Sequence, residues 1–211
     1  MYDNGYGVTQ DHVEAVRWYK LSAAQGDANA QYNLGMLYAK GDGVAQDYVE
    51  ARRWFKLSAA QGNATAQYSL GVMYKNGLGV TQDYVEAVRW YKLSAAQGNA
   101  PAQYNLGLMY ANVDGVTQDY VEAVRWFKLS AAQGDATAQS NLGLMYANGD
   151  GVTQDHVEAV RWYKLSAAQG NAAAQYNLGA LYDNGDGVTQ DYVAVSYTHL
   201  RAHETKANLV C

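Results

Sequence analysis

Trp18, Trp54, Trp90, Trp126 and Trp162 are all the tryptophans in this chain, and they stand 36 residues apart without slippage. The same step joins Gly26, Gly62, Gly98, Gly134 and Gly170, then Gly35, Gly71, Gly107, Gly143 and Gly179, and then Tyr38, Tyr74, Tyr110, Tyr146 and Tyr182. A fixed period of this length marks an array of one supersecondary unit, which buries its apolar face only by stacking on a copy of itself. The 211 residues therefore count repeats, not globular domains.

Each unit reads as two helices. The first opens on an Asp-x-x-Glu pattern, Asp11 to Glu14 in the first copy, in which the aspartate caps the helix start and the glutamate is expected to reach back to it. At 100° per residue, His12, Ala15, Trp18, Tyr19, Ser22 and Ala23 fall on one side, and Glu14, Arg17, Lys20, Leu21 and Ala24 around the other. Gly26 stops this helix, and Asp27, or Asn63, Asn99, Asp135 and Asn171 in later copies, caps the next, with Pro101 tolerated in one first turn. The second helix presents Ala30, Gln31, Leu34, Gly35 and Tyr38 on one face and ends near Gly41 and Gly43.

Gly35 and its copies sit inside a helix, where glycine costs about 1 kcal/mol relative to alanine. Close approach of a first helix is the expected offset, with the Trp18 and Tyr19 rings packed over the gap. Val113 replaces a loop glycine, so the 111–115 loop is expected to depart from its siblings, with Asn112 taking the left-handed position. Arg52 for valine and Ser140 for tyrosine are milder departures, both expected at partly exposed positions.

The recurring residues Tyr84, Ala87, Trp90 and Tyr91, then Ala95, Ala96 and Gly98, then Ala102, Leu106, Gly107 and Tyr110, then Gly115 and Val116 form a motif that resembles the Sel-one-like repeat family. The resemblance covers Tyr2 to Val193. It implies an all-α fold, a right-handed α/α superhelix (solenoid) of antiparallel helix pairs with 36-residue repeats, related to tetratricopeptide repeats. It also implies an adaptor in multiprotein assemblies, mostly bacterial, linked to envelope processes, signalling and host interaction. One cysteine-rich branch, stapled by disulfides and associated with β-lactam binding, does not carry over, because Cys211 is the only cysteine.

The repeat frame divides the chain at 1–7 (end of an upstream repeat), 8–43, 44–79, 80–115, 116–151 and 152–187 (five full repeats) and 188–193 (the start of a sixth). Met1 aligns with Leu37, Met73, Met109 and Met145, inside the second helix, so an upstream region is expected to be missing. Residues 194–211 leave the pattern at Ala194 and resemble a translated sequencing adapter, a read-through tail set aside from functional reading. Both truncated ends would expose apolar faces and allow self-association.

A reaction happens at one place, so a catalytic site would need residues that differ from their repeat equivalents and converge; none do, and no enzyme, cofactor or metal is expected. His12 and His156 fill a slot held elsewhere by tyrosine, and His199 and His203 lie in the tail. The tryptophans are read as core. The candidate partner-binding residues are the row Leu21, Leu57, Leu93, Leu129 and Leu165 with Arg17, Arg53, Arg89, Arg125 and Arg161 on the outer side of each first helix. Each leucine could instead pack on the next unit's helix.

The expected function is a non-catalytic scaffold binding a protein or peptide along this groove, and the alternative is noncovalent binding of envelope glycan or peptidoglycan through the repeated tyrosines. Net charge is −5 with signs mixed in every unit, which argues against nucleic acid as a partner. No apolar run approaches the roughly 20 residues of a membrane-spanning helix, and the compartment is left open.

Overall fold

The structure is a computed structural model that describes residues 10–187. All regular structure in it is helical: α1 (His12–Ala24), α2 (Ala28–Lys40), α3 (Tyr48–Ala60), α4 (Ala64–Asn76), α5 (Tyr84–Ala96), α6 (Ala100–Asn112), α7 (Tyr120–Ala132), α8 (Ala136–Asn148), α9 (His156–Ala168) and α10 (Ala172–Asn184). Odd-numbered helices are the first helix of each repeat and even-numbered ones the second. The chain divides into two compact units, 1–133 with α1 to α7 and 134–211 with α8 to α10. The proposed tail, both truncated repeats, His199 and His203 lie outside the described residues.

The caps follow the sequence. Asp11 Oδ1 accepts from Val13 N and Glu14 N at 3.0 Å, while Asp27 and Asn63 accept from Ala30 N and Ala66 N. The reciprocal half of the capping box does not form, because the capping aspartate's own N–H is taken by the preceding helix: Asp47 N donates to the Tyr38 carbonyl and Asp83 N to the Tyr74 carbonyl, both at 2.9 Å, and the glutamate turns forward. Glu14 meets Arg17 at 3.5 Å and Glu50 meets Arg53 at 3.3 Å, both at i,i+3 on the exposed face.

Within the first unit each second helix packs more extensively on the first helix of the next repeat than on its own partner. The helical glycines account for this. A β-carbon on Gly35 would lie 2.7 Å from the Phe55 ring, and one on Gly107 would lie 2.7 Å from the Phe127 ring. In the second unit Gly143 faces Tyr163 in the same way. The ring over the gap thus comes from the following repeat and from the position after the tryptophan, not from Trp18 and Tyr19 of the same repeat. The gap is a socket between repeats.

The tryptophans shift likewise. Trp54 packs on the first repeat's core of Ala15, Val16, Ala23, Ala30, Leu34 and Leu37, Trp90 on the second's, and Trp126 on the third's. Trp18, at the start of the described chain, is 50% exposed. Buried polar bonds lock the same seam. Ser58 Oγ donates to the Ala28 carbonyl at 2.7 Å, and Gln61 Nε2 donates to Gln31 Oε1 at 2.8 Å. Gln31 in turn donates to the Ala23 carbonyl at 3.2 Å. These bonds recur one period later at Ser94 and Gln97, and a buried amide with both ends satisfied fixes register as well as stability.

Two further expectations are corrected. Val113 itself takes the left-handed conformation (φ 66°), Asn112 stays helical, and the 111–115 loop keeps its siblings' form. Ser140 is buried, at 7% exposure, because its short side chain ends below the surface that the tyrosine rings reach at that position. Arg52 is partly exposed, as expected.

Tyr91 is fully buried and its hydroxyl has no hydrogen-bond partner. Desolvation, with the nearby Tyr68 adding to it, holds that hydroxyl well above the ordinary phenol range. Phe55 and Phe127 occupy the same position in neighbouring repeats. Tyr91→Phe should therefore raise stability by about 1 kcal/mol, since an unsatisfied buried hydroxyl costs about that or more. Urea titration at neutral pH checks this.

Tyr163, in the second unit, is pushed up to about 12 by burial, with a hydrogen bond from Asn177 working the other way. A folded value above the unfolded 10 means stability is intact below pH 10 and falls as pH rises from 10 towards 12. Tyr163→Phe should flatten that alkaline decline in melts taken across the window.

Candidate functional site

The outer side of each first helix follows from its capping and its packed side. Once Asp47 sets the start of α3, and Ala51, Phe55, Ser58 and Ala59 turn inward, Val49, Arg53, Lys56 and Leu57 must face out. In the first unit Leu21, Leu57, Leu93 and Leu129 are 43–51% exposed, and in the second Leu165 is 45% exposed. Val13, Val49, Val85 and Val121 lie two turns earlier on the same helices and are more exposed still.

The arginines between them are anchored. Arg17, Arg53, Arg89 and Arg125 each bind the glutamate three residues before and lie 5.0–5.6 Å from the following tryptophan ring; in the second unit Arg161 does the same with Glu158 and Trp162. Exposed ion pairs of this kind add little stability, and their effect is to hold each guanidinium over the neighbouring tryptophan ring. Trp126 Nε1 donates to Glu122 at 3.1 Å, whereas the buried Nε1 atoms of Trp54, Trp90 and Trp162 have no acceptor.

Two surface concavities contain the sequence-derived residues. One of about 410 Å³ is lined by Val49, Glu50, Arg52, Arg53, Lys56 and Leu57 on α3. The other, of about 610 Å³ and wholly within the second unit, includes Arg161, Lys164 and Leu165 with Val157 and Val160. The valines, which the sequence reading did not single out, are brought to the same place as the leucines; their spacing at i and i+8 was the available signal.

His12 and His156 occupy the tyrosine slot of their repeats, and His156 Nδ1 also lies 3.7 Å from Asp186 Oδ1. Gln10 and Gln154 contact them at 3.1 and 3.2 Å, as Gln46 contacts Tyr48 and Gln82 contacts Tyr84, so each histidine stands in for a tyrosine. No group of three or more metal-ligating side chains occurs among the described residues. No described helix is long and apolar enough to cross a membrane.

A model of the Sel1 repeat matches residues 1–27, 28–63, 64–99, 100–135, 136–171 and 172–194, in steps of the same length but opening each unit at the second helix. Among solved structures, the chain is similar to a protective antigen present in uropathogenic Escherichia coli strains and displaying an SLR fold. The two are 42% identical with a TM-score of 0.88, over 91% of this chain and 41% of that one. It is also similar to a Sel1 repeat protein from Oxalobacter formigenes, at 38% identity and a TM-score of 0.79, over 88% of this chain and 74% of that one. A putative Sel1 repeat protein from Klebsiella pneumoniae is 26% identical with a TM-score of 0.54, over 82% and 84% of the two chains. The chain thus spans about two fifths of the antigen's length. No curated protein matches it.

Proposed function

Because this chain belongs to the Sel1 repeat family, whose repeat matches it from residue 1 to residue 194, we propose that it is a non-catalytic scaffold that binds a protein or peptide along the outer side of its first helices. What supports this reading is the leucine row. Stacking accounts for the buried apolar positions of each repeat, yet in every described repeat one leucine of the first helix stays 43–51% exposed beside an anchored arginine. A large apolar side chain held at the surface five times over, with charged neighbours, suits recognition more than stability.

Leu21 and its copies together with Arg17 and its copies are the proposed contact residues, and a repetitive surface of this kind suits an extended ligand that meets several repeats at once. The glycan alternative draws less support from the tyrosines. Tyr48, Tyr84 and Tyr120 hydroxyls are engaged by glutamines, and Tyr38, Tyr110 and Tyr182 rings lie under lysines.

Panning a displayed peptide library on the immobilised chain, followed by affinity measurement on a variant with Leu57, Leu93 and Leu129 changed to glutamate, tests the reading. The selected peptide should lose measurable binding, while the melting temperature stays near that of the parent, because exposed substitutions usually shift stability by less than about 0.5 kcal/mol. A variant that unfolds would mark the leucines as core. Unchanged affinity would exclude them from the interface.

A further inference from the structure

The repeated surface has one place that differs. In the second repeat Arg52 stands where Val16, Val88 and Val124 are buried in the repeat cores of the same unit. Lys56 lies one turn further along α3, and both side chains line the concavity of about 410 Å³ with Val49 and Leu57 at its apolar edge. Arg53 is already committed to Glu50 at 3.3 Å and to Trp54. Arg52 and Lys56 have no hydrogen-bond, ion-pair or ring partner among the described residues. The equivalent lysines do have one: Lys20 lies 5.6 Å from the Tyr38 ring and Lys92 5.5 Å from the Tyr110 ring, and Lys128 is also engaged.

Two unpaired cations at i and i+4 repel one another and weaken their own helix. Valine, the residue of the sibling repeats, would remove that penalty and restore the buried contact. Folding therefore gives no reason for the arrangement, whereas an arriving anion would relieve it. There is also something for such an anion to do. Along identical contacts a bound segment can slip by a whole repeat at little cost, and one unique charge pair removes that degeneracy.

We propose that Arg52 and Lys56 form the anion-reading point of this surface, taking a carboxylate side chain of an extended peptide whose adjacent apolar side chain rests on Val49 and Leu57. The inference rests on the peptide-binding reading above and adds the partner's chemistry and register: an acidic residue next to an apolar one, placed against the second repeat. A carboxylate held by a guanidinium with a second cation beside it gains charge-assisted hydrogen bonds that an isosteric amide cannot match.

The test uses two fluorescein-labelled peptides, one carrying leucine–glutamate pairs spaced by glycine and serine, the other with glutamine for each glutamate, measured by fluorescence anisotropy on the whole chain. The glutamate peptide should bind the parent about tenfold more tightly than the glutamine peptide, with the preference shrinking at high salt. Arg52→Val, which installs the sibling residue and so should fold, is expected to erase the preference; Lys56→Gln should reduce it. If Arg52→Val keeps the full preference while the leucine-to-glutamate variant loses binding, the inference fails and the peptide-binding reading stands. If neither peptide binds the parent, both fail. Displacement of the peptide by inorganic phosphate at equal concentration would show a simple anion site and would also overturn the inference.

Discussion

Gly107→Ala should destabilise the chain by about 1–2 kcal/mol, although the same change in an exposed helix interior would stabilise it by about 1 kcal/mol. The new β-carbon would lie 2.7 Å from the Phe127 Cδ1 and Cε1 atoms and 3.2 Å from the Ala123 carbonyl oxygen. Phe127 is fully buried and cannot swing into solvent, so α6 and α7 must part. Overpacking of this sort costs about 1–3 kcal/mol, which exceeds the propensity regained. Chemical denaturation checks the sign, and a double-mutant cycle with Phe127→Leu checks the cause. The smaller side chain should make Gly107→Ala less harmful, giving a coupling of about 0.5 kcal/mol or more. Additive effects would show that the glycine matters for some reason other than its facing ring.

That socket also shows where sequence reading succeeded and where it stopped. Glycine at one helical position in every copy signals close approach, because nothing else justifies its cost, and the aromatic pair Trp18–Tyr19 names the ring type. Which ring, and from which repeat, is not a local property. A 36-residue period leaves the question of own or next partner undetermined, since shifting every pairing by one repeat leaves the pattern unchanged. Geometry breaks the tie by setting Gly35 under Phe55 and Trp54 on the preceding core. The Gln31–Gln61 and Ser58–Ala28 bonds escaped notice for the same reason, since each partner is ordinary alone and only the seam joins them.

The outer row was legible because it depends only on helical phase, which the buried alanines fix. The expected glutamate back-bond was not, since the aspartate N–H it would take donates instead to a carbonyl of the preceding helix, as Asp47 N does to Tyr38, a partner that the local capping pattern does not encode. Arg52 is a third case. Its substitution is plain in the sequence, but its meaning comes from Lys56, which makes no contact with Tyr74 although its siblings Lys20 and Lys92 lie over the equivalent Tyr38 and Tyr110 rings.

Val113→Gly should raise stability by about 1–2 kcal/mol, the reverse of what replacing an apolar residue by glycine usually does. Val113 has φ 66° and ψ 24°, the left-handed region that costs an L-residue roughly 1–2 kcal/mol, and β-branching makes it worse. The chain accepts this because the loop is held at both ends. Asp114 N donates to the Met109 carbonyl and Asp119 N to the Tyr110 carbonyl at 3.1 Å, as Asp42 and Asp47 do in the first repeat. Gly115 meanwhile sits against the Tyr84 carbonyl, where no β-carbon fits, so the loop cannot slide to relieve its neighbour. Moving the left-handed residue to Asn112 would break the end of α6 and lose those caps, a larger cost than the strained valine. The valine side chain is 57% exposed, so removing it sacrifices little burial. Glycine also gains freedom in the unfolded chain, which takes back some of the benefit and sets the upper limit. A higher denaturation midpoint with an unchanged slope is the expected reading, and a lower midpoint would mean that the valine side chain packs in a way its exposure conceals.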